Sequence, residues 1–133
     1  MTFKTLLGKR RRIKKPINYL IEWEEGSRSK LQAKVKNFLK VFWDCDVVFE
    51  EFPVVGSRLT LDFYNATKNI AIEVQGKQHT KYNKFFHKDN KINYLNQLKR
   101  DDEKLSFCEL NNIQLLEVHE DNVDFDELYK SIC

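Results

Sequence analysis

Apolar residues along the chain recur with two different periods, and the change of period separates predicted helices from predicted strands. From Ser27 to about Trp43 they follow the spacing of one helix face, at Leu31, Val35, Phe38, Leu39 and Phe42. Ser27 is a residue type that caps the N-terminus of a helix. The sequence therefore predicts a first helix over residues 27–43, with a basic face turned to solvent.

Three short apolar runs follow this helix, at residues 47–52, 59–64 and 70–74. Each is rich in aliphatic and aromatic residues and bounded by residues that form turns, which is typical of strands. Pro53 and Gly56 interrupt the chain between the first two runs, as a hairpin connection would. We therefore expect three consecutive strands.

A second helix is predicted over residues 92–111, because apolar residues again recur on one stripe, at Tyr94, Leu95, Leu98, Leu105 and Cys108. A strand over residues 113–118 and a C-terminal helix from about Asp124 complete the pattern. The resulting order, α-β-β-β-α-β-α, predicts an α/β fold with a mixed sheet flanked by helices.

The composition is that of a soluble globular protein, with 41% hydrophobic and 32% charged residues in a chain of 133. That length suffices for one domain, to which we assign residues 17–133. The chain has no apolar run long enough to span a membrane and no signal-peptide pattern, which predicts a cytoplasmic protein with no membrane partner. Three scattered cysteines without metal-site spacing predict reduced thiols.

Positive charge is concentrated at the N-terminus. Residues 1–15 contain no acid and seven cations, in a chain whose net charge is only +3: Lys4, Lys9, Arg10, Arg11, Arg12, Lys14 and Lys15. We interpret residues 1–16 as a flexible basic arm that binds a polyanion, most simply nucleic acid. A solubilising tail or a localisation signal is the alternative interpretation.

A second basic segment, residues 77–91, interleaves cations with aromatic residues and predicts a long loop or an irregular helical turn. Lys81 and Lys84 are its candidate nucleic-acid contacts, since such a segment can lie along a DNA backbone or stack on unpaired bases. Alternatively, Tyr82, Phe85 and Phe86 pack beneath the loop as a small separate core.

Two acids lie in the most apolar part of the chain. Asp62 belongs to the predicted strand LTLDFY, and Glu73 belongs to the next one, IAIEVQ. An ionised carboxylate removed from water needs a cation or a donor. Two carboxylates on neighbouring strands can share one Mg²⁺ ion, which prefers oxygen ligands, and Mn²⁺ can substitute for it. Such a metal site can catalyse hydrolysis of a phosphodiester bond, because the ion neutralises developing charge and acidifies the attacking water; outward-facing acids without a role are the alternative.

Polar residues follow Glu73 where its strand ends. Gln75 shares a face with Glu73, because strand side chains alternate, and it can bind a metal-bound water or a phosphate oxygen. Lys77 offers positive charge to a phosphate, and His79 can shuttle a proton near neutral pH. We take Asp62 and Glu73, with these three residues, as the candidate catalytic set.

The second helix adds a possible secondary site. Gln97, Asp101 and Lys104 are spaced to lie on one helix face. Asp101 flanks the apolar stripe, where it could orient His79 or the metal. The alternative is ordinary salt bridging within the charged run of residues 99–104.

The segments LDFYN, IAIEVQGKQH and QLKRDDEKLSFCELNNIQLLEV resemble PD-(D/E)XK nucleases. The resemblance is to the small branch that contains very-short-patch-repair-like endonucleases and related phage or homing-type enzymes, and it covers about residues 27–118. It implies a restriction-endonuclease-like core, metal-dependent cleavage of DNA and, for a phage-encoded protein, the host cytoplasm.

Residue by residue, the resemblance makes Asp62 and Glu73 the metal ligands. His79 matches the histidine of the family pattern E-V-x-G-x-x-H, and Arg100 and Asp101 match the arginine–aspartate pair of the family's later helix.

The sequence departs from the family at two places. Gln75 stands where the family usually has a lysine, although some restriction enzymes of this superfamily place Gln or Glu there; Lys77 or Lys104 could substitute. The first helix offers Gln32 where members often place a glutamate.

Two functional classes follow from these residues. The first is a Mg²⁺-dependent endonuclease that nicks or cuts duplex or branched DNA. The second is a non-catalytic nucleic-acid-binding or regulatory protein on a decayed nuclease fold, which the missing lysine favours. An RNase or a junction resolvase is a third hypothesis. Cutting both strands would most easily require a homodimer.

Overall fold

A computed structural model of the chain describes residues 1–76, 88–120 and 123–133. Its strands are β1 (Thr2–Lys4), β2 (Arg10–Arg12), β3 (Val48–Pro53), β4 (Thr60–Asn65), β5 (Ile70–Gln75) and β6 (Gln114–His119). Its α-helices are α1 (Lys30–Trp43), α2 (Lys88–Leu110) and α3 (Phe125–Ile132), and a short 3-10 helix spans Pro16–Tyr19. The predicted mixed α/β class is confirmed.

The central sheet has four strands in the order β3-β4-β5-β6. The first three are antiparallel neighbours, whereas β6 runs parallel to β5. A parallel neighbour requires a crossover connection, and α2 lies on that connection. The observed bounds of all four strands differ from the predicted ones by at most one residue.

Two apolar cores lie on the two faces of this sheet. Residues of α1 and α3, such as Leu39 and Ile132, pack with Phe63 and Ile72 on one face. On the other face Phe107 of α2 packs with a group of aromatic residues that includes Phe3, Phe49, Phe52 and Tyr64. The sheet is therefore buried from both sides, and functional groups can reach solvent only at its ends and edges.

The N-cap of α1 lies two residues later than predicted. Ser29 is the N-cap residue, and its hydroxyl accepts a hydrogen bond of 3.1 Å from the Gln32 N–H. Ser27 instead donates its hydroxyl to the Glu50 carboxylate at 2.8 Å. Both serines are residue types that suit a cap, but Ser27 is bound to the half-buried Glu50 of β3 and Ser29 caps the helix.

The N-terminal residues form a hairpin rather than the predicted flexible arm. Strands β1 and β2 pair antiparallel, and Phe3 and Ile13 are buried in the core on the α2 side of the sheet. Asn111, at the end of α2, binds the N–H and the carbonyl group of Lys4 at 2.7 and 3.0 Å. The flexible arm was predicted from the many cations of this region, and the two apolar residues that anchor the hairpin, Phe3 and Ile13, did not form a recognisable pattern among them.

The apolar stripe predicted for α2 is wrong over most of its length. Leu95, Leu98 and Leu105 are exposed, and among the side chains of the helix that the structure describes, those of Phe107 and Cys108 are buried. The helix also begins at Lys88, within the segment for which a loop or irregular turn was predicted. The rest of that segment, residues 77–87, lies outside the described residues. No helix among the described residues is long and apolar enough to cross a membrane.

Replacing Phe3 with Ala tests the docked hairpin. Phe3 is 8% exposed and contacts the rings of Phe52, Tyr64 and Phe107. Loss of a buried Phe side chain should lower the free energy of unfolding by about 3 kcal/mol, measured by urea denaturation. Leu7→Ala, at a position 86% exposed in the same hairpin, is the matched control. Equal stability of the two variants would mean that the hairpin does not pack on the core.

Candidate functional site

The sheet forks at Asp62 and Glu73. Strand β4 pairs with β5 only through its last three residues, ending with Phe63 opposite Ile72. Strand β4 stays paired with β3 from Thr60 to Asn65, and β5 stays paired with β6 from Ile70 to Gln75, so the sheet divides only between β4 and β5. Asp62 and Glu73 occupy what would be the next rung of the β4–β5 ladder.

Each carboxylate at the fork binds the main chain of the opposite strand. The Val74 N–H donates to Asp62 Oδ2 at 2.8 Å, and the Asp62 N–H donates to Glu73 Oε2 at 3.2 Å. Side-chain oxygens thus replace the missing ladder bonds and satisfy main-chain donors that the fork would otherwise leave unpaired. One oxygen of each carboxylate, Asp62 Oδ1 and Glu73 Oε1, is left for other partners.

Lys104 of α2 supplies the nearest described cation. Its ammonium nitrogen lies 2.6 Å from Glu73 Oε1; the Lys104 side chain is 19% exposed and that of Glu73 only 3%. The pKa of Glu73 is raised to about 8, mainly by burial and to a lesser extent by a hydrogen bond to Asp62 and the negative charge of Asp62. The Lys104 ammonium lowers this pKa. Burial thus favours a proton on Glu73, whereas the Lys104 ammonium favours the carboxylate.

Gln75 shares the face of Glu73, as predicted from strand alternation. Its side chain borders the same cleft, and the residue is 5% exposed. An amide both donates and accepts hydrogen bonds, so this group can bind water, an ion or a substrate that enters the cleft.

Residues from the sheet and from α2 meet in one cleft of about 630 Å³. The structure brings together the predicted residues Asp62, Glu73 and Gln75 with the predicted secondary site, which consists of Gln97, Arg100, Asp101 and Lys104. None of the seven N-terminal cations lines this cleft. The predicted contacts Lys77, His79, Lys81 and Lys84 lie outside the described residues, so Asp101 cannot be placed relative to His79.

The start of α1 forms a wall of this cleft that was not predicted. The residues that line the cleft there are Arg28, Ser29, Lys30 and Gln32. The pattern Ser29-x-x-Gln32 marks a helix N-terminus and could have placed the start of the helix, but only the structure shows that this turn lies beside the fork. Glu120, after β6, is a further lining residue that was not predicted.

Gln32 connects this wall to two glutamates of β3. Its amide donates to Glu50 at 2.8 Å and to Glu51 at 3.2 Å, and the buried Lys36 binds Glu50 at 2.9 Å. Glu51 has φ of 53°, in the left-handed region that non-glycine residues rarely adopt. This conformation turns two consecutive acids toward α1, which ordinary strand alternation would prevent.

The donor set fits a hard divalent ion. Asp62 and Glu73 both line the cleft, each with one carboxylate oxygen that the main chain does not use, and the Gln75 amide is a third oxygen donor. Mg²⁺ takes one or two protein carboxylates and keeps several waters. No group of three or more His, Cys, Asp or Glu side chains forms a metal site within the part of the chain that the structure describes. A two-carboxylate Mg²⁺ site does not need such a group.

No family model matches the chain, and no solved structure matches it. Two curated viral proteins are similar to about half of it. "Uncharacterized protein 033L" of Invertebrate iridescent virus 3 is 41% identical over 66 residues, which is 50% of this chain and 34% of that protein. "Uncharacterized protein 094L" of Frog virus 3 is 39% identical over 66 residues, or 50% of this chain and 43% of that protein. The match thus spans less than half of either relative.

Glu73→Gln should make the metal-free protein more stable than the wild type, and increasingly so from about pH 5 to about pH 8. The pKa of Glu73 is raised in the folded state, so the native protein retains a proton that the unfolded chain releases, and its stability falls over this range. The amide keeps an oxygen for the Asp62 N–H. The gain in unfolding free energy should reach the order of 3 kcal/mol, measured by urea denaturation in EDTA.

Glu109→Gln, which changes an exposed carboxyl on α2, is the control for this experiment. A difference between Glu73→Gln and the wild type that stays constant from pH 5 to pH 8 would contradict the raised pKa of Glu73.

Proposed function

We propose that the chain is a Mg²⁺-dependent DNA endonuclease that hydrolyses phosphodiester bonds at the forked sheet. The observation that supports the proposal best is the pair Asp62 and Glu73, whose carboxylates are fixed by reciprocal main-chain bonds with one oxygen of each left over. This arrangement keeps two like charges together in a cleft, which is unfavourable unless a cation or a proton is present.

In this proposal Asp62 and Glu73 hold the metal ion, with Mn²⁺ as a possible substitute. The ion would neutralise charge that develops on the phosphate and acidify the attacking water. The backbone bonds from Val74 and Asp62 hold the two carboxylates in a fixed position before the ion binds, so little reorganisation is needed. Gln75 would orient the water or a phosphate oxygen through its buried amide.

The cations around the cleft suit a phosphate backbone. Arg28 and Lys30 come from the α1 side, and Arg100 and Lys104 from the α2 side. Arg and Lys are the residues that most often bind DNA phosphates. Lys77 and His79, which follow Gln75 in the sequence, would add contacts to the scissile phosphate, and Asp101 would support them.

The arrangement of elements supports a restriction-endonuclease-like core. From α1 onward, three antiparallel strands are followed by a helix and a parallel strand, with helices on both faces of the sheet. The acids lie on the second and third of these strands, where the resemblance to PD-(D/E)XK nucleases puts its metal ligands. The two viral relatives, whose names state no activity, neither support nor oppose this assignment.

The N-terminal hairpin would serve as a rigid basic surface for DNA. Phe3 points into the core, and side chains alternate along a strand, so Lys4, Arg10 and Arg12 share the opposite face. All seven cations of this region are exposed. Their contribution to DNA affinity would be independent of sequence and would weaken with salt. A symmetric homodimer would be the simplest way for so small a unit to cut both strands.

Asp62→Asn should abolish cleavage while DNA binding persists. The amide oxygen can still accept from the Val74 N–H, so the fork remains, but the metal loses one of its two charged ligands. We expect at least a 100-fold lower rate of nicking of supercoiled plasmid, as typical for loss of an electrostatic catalytic group. The gel assay uses Mg²⁺, Mn²⁺ or EDTA, with Asp102→Asn, on the exposed side of α2, as control. Wild-type cleavage by Asp62→Asn would refute the site.

Replacing Arg10 and Arg12 with Gln should weaken binding to a labelled duplex and flatten its dependence on salt. Each lost phosphate contact should reduce the slope of log affinity against log salt by roughly 0.9. The control pair, Lys34→Gln with Lys130→Gln, lies on the exposed surface of α1 and α3. If both pairs change the slope equally, the hairpin has no special role. Fluorescence anisotropy at several salt concentrations gives the slopes.

A non-catalytic nucleic-acid-binding protein is the second candidate function. Gln75 replaces the usual lysine, and Glu73 already has a cation of the protein itself, Lys104, in contact with it. Absence of cleavage in every metal, together with a shift of DNA mobility in the gel assay, would favour this candidate.

A further inference from the structure

Lys104 stands in the position that a metal ion would need. Its ammonium contacts Glu73 Oε1, the oxygen that is left over once Oε2 has accepted the Asp62 N–H. A divalent ion bound by Glu73 and Asp62 would use that same oxygen. Two cations cannot both occupy contact distance from one oxygen without strong repulsion, so ion binding and the Lys104–Glu73 contact exclude one another.

The ion pair is also well placed to open. Lys104 lies on the cleft wall, and its side chain is 19% exposed, so the ammonium can turn from Glu73 into the cleft without crossing the core. A lysine has a flexible four-carbon stem and a compact charge. Once displaced, the ammonium faces the space where a substrate phosphate would lie.

We infer that Lys104 is a displaceable internal cation, which occupies Oε1 of Glu73 until a divalent ion replaces it and then binds a phosphate of the nucleic acid. The inference rests on the proposed metal site and names how that site is regulated. It also accounts for the neutral Gln75 on β5, because the cation that contacts the phosphate comes from α2 instead.

One consequence is that metal and nucleic acid bind cooperatively. Displacement leaves an ammonium without its carboxylate, and a phosphate restores an anionic partner for it. Each ligand therefore removes a cost that the other would meet alone, and by linkage the coupling is the same in both directions. Neither a permanently paired Lys104 nor an ordinary surface lysine would produce such coupling.

The first experiment measures the affinity for a short fluorescein-labelled duplex by anisotropy, in EDTA and in Ca²⁺, with the integrity of the strands checked afterwards. Lys104→Met should weaken binding roughly tenfold in Ca²⁺, the value of one charge-assisted hydrogen bond, and hardly at all in EDTA. Lys99→Met, an exposed cation on the same helix, is the matched control. An equal effect of Lys104→Met in both conditions, or no effect in either, would overturn the inference.

The second experiment releases Lys104 without any metal. Glu73→Gln replaces the carboxyl group that holds the ammonium with an amide, so DNA should bind more tightly in EDTA, again by roughly tenfold. Adding Lys104→Met to this variant should abolish the gain. A gain that persists in the double variant would come from the lost negative charge alone and would contradict the inference.

The two experiments separate this inference from the proposed function. If calorimetry detects no Mg²⁺, Mn²⁺ or Ca²⁺ binding to the wild type, the proposed metal site fails, whereas the second experiment still tests the release of Lys104. If metal binds and Lys104→Met keeps the wild-type response to it, the inference fails and the metal site stands. Should Lys104→Met not fold, Lys104→Gln, which retains a donor for Glu73, replaces it in both experiments.

Discussion

Two hydrogen bonds between Asp62 and the Glu73–Val74 segment hold β4 and β5 together where their main chains separate. The separation opens the cleft, but it would leave main-chain N–H groups without acceptors in a buried region. The two carboxylates accept those donors at 2.8 and 3.2 Å. The two carboxylates therefore satisfy the main-chain donors at the fork and also provide the polar groups of the cleft. An apolar residue at either position could do neither.

Much of the fold could be predicted because strand alternation and helix spacing are strong signals where one face is apolar. Asp62 and Glu73 stood out in the sequence because each interrupts such a pattern, and Gln75 followed from alternation alone. The hairpin could not be predicted in this way, since Phe3 and Ile13 are single anchors within a run of charges. The burial predicted for the leucines of α2 was wrong, because helical spacing shows only that an apolar stripe exists. It does not show that other parts of the protein pack on that stripe.

The partner of Glu73 was beyond the reach of sequence analysis for a different reason. Lys104 lies more than thirty residues from Glu73 along the chain, and its own helix offers other cations of the same type. Only the docking of α2 through Phe107 and Cys108 selects which lysine reaches the fork. Helix periodicity placed Gln97, Asp101 and Lys104 on one face, and packing then decided that this face lines the cleft. The residue types and their spacing thus identified the candidate site residues. Which of them contact one another, such as Lys104 and Glu73, depends on tertiary packing.

The left-handed backbone conformation of Glu51 also affects the packing of β3, a strand at one edge of the sheet. An edge strand exposes unpaired donors and acceptors on which another chain can add. Because Glu51 breaks the alternation, Phe49 and Phe52 enter the same core although they are three residues apart. Sliding β3 by one residue in either direction would bury an acid among aromatic rings. The conformational cost at one residue therefore fixes the register of the strand and makes the edge a poor template for aggregation.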